Sequence, residues 1–402
     1  MARPPLVPAG PELTAAERTR YARHLLLPGI GSDGQRRLRA ARVLVVGAGG
    51  LGSPALLYLA GAGVGTVGIV DDDVVDVTNL QRQVVHGVAD VGRAKVDSAA
   101  EAVAATSPET VVVRHRERLD ALNAMQVLAE YDLVLDGADN FPTRYLVGDA
   151  CARLGIPHVW GSVYRFDGQV SVWWAGEGPC YACVFPAQPP AEAVASCSVG
   201  GVLGAVCASI GSVMTTEAVK LVTGTGDALV GRLLVHDALR QSWDTVPVRA
   251  DPACLVCGSG ADPTRPLGWA STVDEGSAAP PAPGAAPAAA TGWVAPSVSV
   301  NQLAGLLRSR AGGAESFVLL DVRERGELDV ARIPGAEHLP LDRIRAGEPV
   351  PGSEGRVYVY CKVGGRSAEA VGLLRGRGVD AVNVEGGVLA WSRDVDPDVP
   401  WY

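Results

Sequence analysis

The sequence has no excess of positive charge, no long hydrophobic run and too few cysteines for a disulfide scaffold. Its 402 residues include 35 Lys and Arg against 44 Asp and Glu, a net charge of -9, which disfavours nucleic acid or an anionic membrane as the main partner. The longest apolar run, residues 199–214, is too short and glycine-rich to span a bilayer comfortably. Residues 1–10 do not resemble a signal peptide. We therefore expect a cytoplasmic protein, in which eight cysteines suggest metal binding or catalysis.

The most informative stretch is residues 41–52, a valine-rich run followed by a glycine-rich turn and the start of a helix. Residues 43–46 predict a strand buried on both faces. The turn contains four glycines, which let the backbone approach a polyphosphate at a helix N-terminus: Gly47, Gly49, Gly50 and Gly52. A second predicted strand, residues 67–70, leads about twenty residues on to Asp71, where a carboxylate can bind a ribose hydroxyl. The pattern predicts a nucleotide site but leaves NAD, FAD and ATP open.

Alternating strand and helix patterns after this turn predict an α/β fold with a Rossmann-like, doubly wound and largely parallel sheet. Ligands of such sheets bind outside the carboxyl ends of the strands. Gly47, Asp71 and Asp139 each follow a predicted strand, so we expect them to converge on one crevice. Residues 272–291 are rich in Ala, Pro, Gly and Ser and are typical of a linker. The predicted domains are residues 1–270 and a small α/β domain at residues 294–402, joined by residues 271–293.

Two Cys-x-x-Cys pairs lie in the first predicted domain, Cys180-Tyr-Ala-Cys183 and Cys254-Leu-Val-Cys257. Together they offer four thiolates, which suit a closed tetrahedral Zn²⁺ site with no position left for a substrate. A redox role for either pair is the alternative interpretation. We expect zinc to hold the end of this domain against its middle, in a structural and not a catalytic role.

Five further residues separate ATP chemistry from hydride chemistry. Nucleotidyl transfer needs cations at the phosphates and a carboxylate for Mg²⁺, whereas a nicotinamide enzyme needs a hydride site and an acid–base partner. Taken singly, each of the five would more often be a solvated charge or half of an ion pair. They lie, however, beside predicted strand ends: Arg23, Asn79, Arg82, Lys95 and Asp139. The sequence contains no Gly-x-x-x-x-Gly-Lys loop, which excludes the P-loop class.

Five motifs, together with the two cysteine pairs, closely resemble those of the MoeB/ThiF adenylyltransferases, bacterial relatives of ubiquitin-activating enzymes. The motifs are Arg20-Tyr-Ala-Arg-His24, Gly47-Ala-Gly-Gly-Leu-Gly52, Asn79-Leu-Gln-Arg-Gln83, Gly92-Arg-Ala-Lys95 and Asp136-Gly-Ala-Asp-Asn140. The resemblance covers residues 11–260. It implies that ATP and Mg²⁺ serve to adenylate the C-terminal glycine of a small ubiquitin-like sulfur carrier ending in Gly-Gly.

The same resemblance implies roles for single residues. Asp71 would bind the ribose, and Arg82 and Lys95 would bind the phosphates. Asp139 would hold the Mg²⁺, while Asn79 and Gln83 would line the pocket. Arg23 would be supplied across a subunit interface, so a homodimer is expected.

The second domain carries Cys361-Lys-Val-Gly-Gly-Arg-Ser367 directly after a predicted strand, residues 357–360. The backbone amides of such a loop, with Lys362 and Arg366, favour a thiolate or an anionic persulfide. The loop has four residues between Cys361 and Arg366, which resembles the rhodanese sulfurtransferases and differs from the longer loop of the related phosphatases. Further motifs of residues 297–391 resemble the same domain: Asp321-Val-Arg-Glu324, Ile333-Pro-Gly-Ala336 and Glu385-Gly-Gly-Val-Leu-Ala-Trp391.

The joined domains look like the MoeZ-type adenylyltransferase/sulfurtransferases. In that family a further cysteine before a small-residue helix meets the rhodanese cysteine, and Cys197 fits that place. Cys151 and Cys207 lie in apolar helical patterns and are expected in the core. The resemblance implies a thiocarboxylate for molybdopterin, thiamine, cysteine or a specialised product, with a cysteine desulfurase or thiosulfate as sulfur donor. A carrier-binding scaffold with degenerate sites and an NAD-dependent oxidoreductase are the alternatives.

Overall fold

The computed structural model describes residues 3–188, 201–268, 295–350, 352 and 354–400. The chain divides into two compact units, Met1–Pro280 (unit 1) and Pro281–Tyr402 (unit 2), and the division falls inside the predicted linker. Each unit has its own sheet and its own apolar core. Cys197 lies outside the described residues, so its predicted role depends on the sequence alone.

Unit 1 is built on a mixed sheet of eight strands in the order β3-β2-β1-β4-β5-β6-β7-β8. The strands are β1 (Arg42–Val46), β2 (Thr66–Val70), β3 (Val111–His115), β4 (Leu133–Asp136), β5 (His158–Tyr164), β6 (Asp167–Trp173), β7 (Arg232–Asp237) and β8 (Ser242–Pro247). β1 to β5 are parallel, whereas β6, β7 and β8 continue the sheet in antiparallel pairs. Because β1 lies between β2 and β4, the order of strands reverses beside it, and open α/β sheets bind ligands at such a point.

Helices cover both faces of this sheet, which is why β1 is apolar throughout its buried length. The helices of unit 1 are α1 (Ala15–Arg20), α2 (Ala22–Leu25), α3 (Gly31–Ala40), α4 (Gly52–Ala62), α5 (Lys95–Thr106), α6 (Ala124–Leu128), α7 (Phe141–Leu154), α8 (Tyr181–Val184) and α9 (Gly204–Thr223). A capping box begins α1, as the spacing of Thr14 and Glu17 in the sequence predicts, since Thr14 Oγ1 accepts from the Glu17 amide and Glu17 accepts from the Thr14 amide.

One helix that the sequence predicts as continuous is broken in the structure. The pattern from Thr14 to Pro28 predicts a single helix, but α1 ends at Arg20 and α2 begins at Ala22. Tyr21 lies between them and is buried, and its ring lies against Gly63, where a Cβ would meet the ring at 2.5 Å. A tertiary contact of this kind has no local sequence signal, so helix propensity alone gave the wrong boundary.

The helix α9 crosses the core of unit 1 and packs against α3, α4, β5 and β6. With 20 residues it is, among the described residues, the one helix long and apolar enough to cross a membrane by length and composition, and 56% of its apolar window is buried inside the fold. Residues 204–214 of the apolar run form the first half of this helix, which continues to Thr223. Packing within unit 1 accounts for its apolar character.

Unit 2 is a smaller α/β fold with a parallel sheet in the order β11-β10-β12-β13-β9. Its strands are β9 (Ser297–Val298), β10 (Phe317–Asp321), β11 (Glu337–His338), β12 (Arg356–Tyr360) and β13 (Ala381–Val384). Its helices are α10 (Val300–Ala311), α11 (Arg325–Val330), α12 (Leu341–Arg345), α13 (Gly365–Arg375) and α14 (Gly387–Asp394). The central strand β12 is buried beyond Arg356 and ends at Tyr360, directly before Cys361.

Candidate functional site

The glycine-rich turn after β1 forms the floor of a pocket in unit 1. Gly47 has a φ of +85°, and a Cβ at Gly52 would lie 1.8 Å from the Gly47 carbonyl oxygen, so both positions require glycine. The Ala48 amide donates to the Asp71 carboxylate at 2.8 Å, and His86 Nε2 donates to the Ala48 carbonyl at 3.1 Å. Burial lowers the pKa of His86, which favours a neutral imidazole. Its single ring N–H, on Nε2, then donates to the Ala48 carbonyl of the turn.

This glycine-turn pocket lies at the carboxyl ends of β1, β2 and β4 and has a volume of about 300 Å³. Among the residues that line it are eight that the sequence singled out: Gly47, Gly49, Gly50, Asp71, Arg82, Gln83, Lys95 and Asp139. The structure therefore brings Gly47, Asp71 and Asp139 to one crevice, as the expected sheet topology requires.

An acidic residue follows β2, and a lysine lies close to it. Asp71 accepts from the Ala48 amide and from the Asp73 amide at 2.9 Å. Burial raises the pKa of the Asp71 carboxyl, and the charge of Lys95 opposes that shift. The Lys95 ammonium donates to the Asp73 carboxylate at 2.8 Å, and that carboxylate is largely exposed. An anionic ligand in the pocket could therefore compete with Asp73 for this cation.

Two neighbours on the loop after β2 add polar groups to the wall. Gln83 is only 4% exposed, and its Oε1 has no hydrogen-bond partner among the described residues. Arg82 is half-buried and donates to the Thr78 carbonyl at 3.0 Å. A buried acceptor without a donor at a pocket wall indicates a ligand or water that completes it. This observation fits a nucleotide, whose base and ribose carry donors.

Three residues that the sequence assigned to the site do not line the pocket. Gly52 begins α4 behind the turn. Asn79 accepts from the Asp76 amide at 3.1 Å and so closes its own short turn. Arg23 is exposed on α2. The ligand-binding roles predicted for these three residues stay predictions, since the structure holds one copy of the chain.

Part of the pocket wall consists of residues that no sequence motif marks as a site. The additional lining residues include Glu117, Arg118, Leu119, Thr143, Arg144, Val202 and Cys207. Residues 117–119 follow β3, and only the strand order, which places β3 beside β2, brings them to the pocket. No motif marks them, so the signal that could have found them is the complete sheet topology.

Two of these wall residues are held by buried contacts. Arg144 donates its Nε to the Ala138 carbonyl at 3.0 Å, and its guanidinium lies 5.8 Å from the Trp160 ring centroid. Cys207 is buried, as predicted, but a Cβ at Gly50 would lie 2.9 Å from its Sγ. The thiol therefore packs against the glycine turn and is also part of the pocket wall.

The four cysteines of the two pairs form one cluster, with all four Sγ atoms within 4.8 Å of one another: Cys180, Cys183, Cys254 and Cys257. Sγ–Sγ distances are 3.7 Å for Cys180–Cys183, 3.6 Å for Cys180–Cys254 and 3.4 Å for Cys183–Cys257. Four thiolates bound tetrahedrally at about 2.3 Å stand about 3.8 Å apart, so the donor set fits a zinc ion.

The Cys361 loop, residues 361–367, lies in unit 2 at the carboxyl end of β12. Cys361 is 1% exposed, and its Sγ accepts from the Gly364 amide at 3.1 Å and from Ser367 Oγ at 3.4 Å. Gly364 has a φ of +107°, which permits this tight turn. Two donors on one sulfur stabilise a thiolate or a persulfide anion.

A buried ion pair supports this loop from the neighbouring strand. Arg323 is fully buried and donates to the Asp321 carboxylate through Nε at 2.9 Å and Nη2 at 2.5 Å. Nη2 also donates to the Ala331 carbonyl at 2.7 Å, and the guanidinium lies 5.6 Å from the Tyr360 ring centroid. The motif that follows β10 therefore fixes α11 against the strand that carries Cys361.

Comparison with known proteins matches each unit to a family. The ThiF family matches residues 21–256, and the rhodanese-like domain matches residues 303–394. The chain is 46% identical to the probable adenylyltransferase/sulfurtransferase MoeZ of Mycobacterium tuberculosis, over 99% of both chains. It is 40% identical to adenylyltransferase and sulfurtransferase MOCS3 of Bos taurus, over 99% of this chain and 91% of the relative.

Two further similarities concern unit 1. SAMP-activating enzyme E1 of Haloferax volcanii is 48% identical over 62% of this chain and 92% of its own length. The crystal structure of E. coli MccB superposes with a TM-score of 0.55 at 19% identity, covering 61% of this chain and 74% of MccB. Identity that low shows the fold alone. On the matches to both units, the chain belongs to the ThiF-type adenylyltransferases that also carry a rhodanese-like sulfurtransferase domain.

Proposed function

We propose that unit 1 uses ATP to adenylate the C-terminal glycine of a ubiquitin-like sulfur carrier, and that unit 2 delivers the sulfur that converts it to a thiocarboxylate. The observation that supports this is the presence, in one chain, of the glycine-turn pocket with cations and acids and of a buried cysteine with two donors on its sulfur. A relative named as SAMP-activating adds support for a protein substrate.

In the pocket, the backbone of the glycine turn and the N-terminus of α4 would face the phosphates. Asp71 would accept from the ribose hydroxyls. Arg82 and Lys95 would stabilise the charge that develops on the phosphates, with Lys95 exchanging Asp73 for the ligand. Gln83 would line the pocket, and its Oε1 would accept from the nucleotide. Asn79 would support the same loop from outside the pocket, since its side chain accepts from the Asp76 amide.

Metal ions have two distinct places in this proposal. Asp139 is an exposed carboxylate at the pocket rim and would hold Mg²⁺, which takes one or two carboxylates together with substrate phosphates. When bound, Mg²⁺ would supply charge neutralisation at the phosphates. The four-cysteine cluster would hold Zn²⁺ as a closed structural site.

The chemistry proceeds in three steps that balance. The carrier carboxylate attacks the α-phosphorus of ATP, and pyrophosphate leaves. A persulfide on Cys361 attacks the acyl carbon, AMP leaves, and an acyl disulfide joins the carrier to Cys361. The Cys197 thiolate then attacks the Cys361 sulfur, the thiocarboxylate leaves, and the resulting Cys197–Cys361 disulfide is reset by a two-electron dithiol reductant.

The proposal includes a homodimer in the cytoplasm. Arg23 is exposed and would enter the pocket of a second copy. Leu26, three residues further on, is 74% exposed, and Leu27 beside it is 48% exposed. Apolar side chains exposed next to each other at the surface are typical of an interface between subunits.

The decisive experiment is ATP–pyrophosphate exchange, with and without a panel of small carriers that end in Gly-Gly. We expect exchange that depends on ATP and on one carrier, which would also identify the partner. Binding of ATP without exchange for any carrier would contradict adenylation and favour a scaffold. Binding of NAD with no ATP binding would overturn the assignment of the pocket.

A further inference from the structure

The arginine of the Cys361 loop is paired with an acid that lies outside the loop. Glu327, on α11, is 7% exposed. Arg366 donates its Nη1 to Glu327 Oε2 and its Nη2 to Oε1, both at 2.7 Å. The Glu324 amide donates to Oε2 at 3.0 Å. Bidentate, charge-assisted pairs of this kind are the strong ones. Glu327 therefore fixes the position of Arg366 and supplies its counter-charge.

The charges around the loop show that Glu327 is ionised. Burial raises the pKa of the Glu327 carboxyl, but the hydrogen bonds and charge of Arg366 outweigh burial and hold its pKa below the usual range. Burial lowers the pKa of Lys362, the second cation of the loop, and the charge of Glu327 opposes that shift. The nearby Arg323 is matched by Asp321. The loop therefore presents less positive charge than its Lys362 and Arg366 would suggest.

We propose that Glu327 selects the sulfur donor of the Cys361 site, favouring an organic persulfide over the thiosulfate dianion. This inference rests on the proposed function, because it names the donor class for that same cysteine. Thiosulfate concentrates two negative charges on a small ion, and a carboxylate beside the loop repels it while weakening the pull of Arg366. The persulfide group of an organic persulfide carries at most one negative charge, and the molecule binds through its organic part as well.

Either donor can transfer sulfur to Cys361 without an added oxidant or reductant. The Cys361 thiolate attacks the outer sulfur of R–S–SH, the S–S bond breaks, and R–S⁻ leaves with the electron pair while Cys361–S–SH forms. With thiosulfate, sulfite leaves in the same way and the cysteine persulfide forms as its anion. The donors on Cys361 Sγ come from Gly364 and Ser367. Glu327 therefore acts on the binding of the donor and is a specificity residue, not a nucleophile or a proton donor.

The test compares two donors in the full-length protein and in Glu327→Gln. Glutamine keeps the shape and one acceptor but removes the counter-charge of Arg366. We expect the KM for thiosulfate to fall about tenfold, with kcat changed less than about twofold, since one charge is removed close to a dianion. Loading of Cys361 by glutathione persulfide, followed by mass spectrometry, should change less than about twofold.

Three further variants separate charge from shape. Asp329→Asn removes an exposed carboxylate from the same helix and leaves the Glu327–Arg366 pair in place, so the thiosulfate KM should not move. Glu327→Asp keeps the charge and should keep the KM close to wild type. Arg366→Gln removes the cation and should raise the thiosulfate KM several-fold, about as expected for one lost charge. That variant tests the proposal even if Glu327→Gln fails to fold.

The outcomes are distinguishable. A thiosulfate KM that is unchanged or raised in a folded Glu327→Gln overturns the inference. An equal change for both donors also overturns it, because it would show that Glu327 only supports the shape of the loop. If wild-type Cys361 is loaded by neither donor, the proposed sulfurtransferase step itself fails. If it is loaded by both and the variants leave their ratio unchanged, only the role of Glu327 is lost.

Discussion

The turn after β1 and the loop after β12 are the same backbone device in two units. In each, a buried parallel strand runs into a glycine-containing turn, and a helix begins a few residues later: α4 at Gly52 and α13 at Gly365. Each turn needs a positive φ, at Gly47 and at Gly364. Backbone amides and a helix N-terminus favour an anion in both places.

The two turns differ in what fills them. Gly47 has no side chain, so the turn after β1 leaves an open pocket of about 300 Å³, to which other strands supply acids and cations. The corresponding residue after β12 is Cys361, whose own sulfur occupies the space and takes the hydrogen bonds. One turn therefore suits an anion that diffuses in, whereas the donors of the other turn are already taken by a sulfur atom of the chain itself.

The largest effect should come from Cys361→Ala, which removes the sulfur and leaves the turn. Thiocarboxylate formation should be abolished while carrier-dependent pyrophosphate exchange stays at the wild-type rate, because the nucleophile belongs to unit 2 alone. Mass spectrometry of the carrier measures the first and radioactive exchange the second. Cys151→Ala, which removes another buried thiol, is the matched control and should leave both activities intact. Thiocarboxylate that survives in Cys361→Ala would contradict the scheme.

The converse experiment removes a carboxylate from the glycine-turn pocket. We expect Asp139→Asn to slow pyrophosphate exchange at least about 100-fold, since it removes the proposed Mg²⁺ ligand at developing charge. Loading of Cys361 by a sulfur donor should be unchanged. Asp244→Asn, an exposed acid on β8, controls for the change in net charge. Equal loss of both activities would contradict the separation of the two sites.

The four-cysteine cluster should make unit 1, and only unit 1, dependent on metal. Cys183→Ser should lose bound zinc and lower the free energy of unfolding of unit 1 by at least about 3 kcal/mol, because metal binding contributes to folding directly. Metal analysis and calorimetry measure the two effects, with Cys151→Ala as the control that keeps its zinc. A full zinc content in Cys183→Ser would rule out the closed four-thiolate site.

The smallest effect concerns two buried acids whose pKa values are shifted in opposite directions, so that their contributions to stability change oppositely with pH. Burial raises the pKa of Asp149 in unit 1 to about 6, although the Gly268 amide donates to it at 2.8 Å. Its contribution to stability is complete below the ordinary pKa of about 3.8 and is lost as the pH rises through about 6, by up to about 3 kcal/mol. Asp149→Asn should therefore melt at a higher temperature than wild type at pH 8, with the difference shrinking towards pH 4.

Glu327 in unit 2 supplies the contrast, because its pKa is lowered. Its stabilisation is present above the ordinary carboxyl pKa and is lost as the pH falls below that value. Glu327→Gln should therefore lower the melting temperature of unit 2 at pH 7 and have little effect at pH 3. Melting temperatures of the two variants that shift in the same direction with pH would contradict the comparison.

Features carried by neighbouring residues could be predicted from the sequence, and features set by distant contacts could not. The valines of β1, the glycines of the turn and the loop after β12 follow local rules of burial, backbone freedom and charge. The break at Tyr21 depends on Gly63, which lies far along the chain. The wall residues Glu117 and Cys207 reach the pocket only through sheet order and helix packing. The pattern of a strand cannot specify its neighbours in a sheet.

The pocket of unit 1 is assembled from residues spread between Val46 and Cys207, and the cysteine pairs are separated by 74 positions. Because the ribosome releases the N-terminal end first, the glycine turn emerges long before Cys207, the last residue of the pocket wall. The pocket is complete only once α9 has emerged, and a bound nucleotide could then stabilise the nascent chain. The second cysteine pair emerges later still, at Cys257, and metal can then lock a sheet that is already formed.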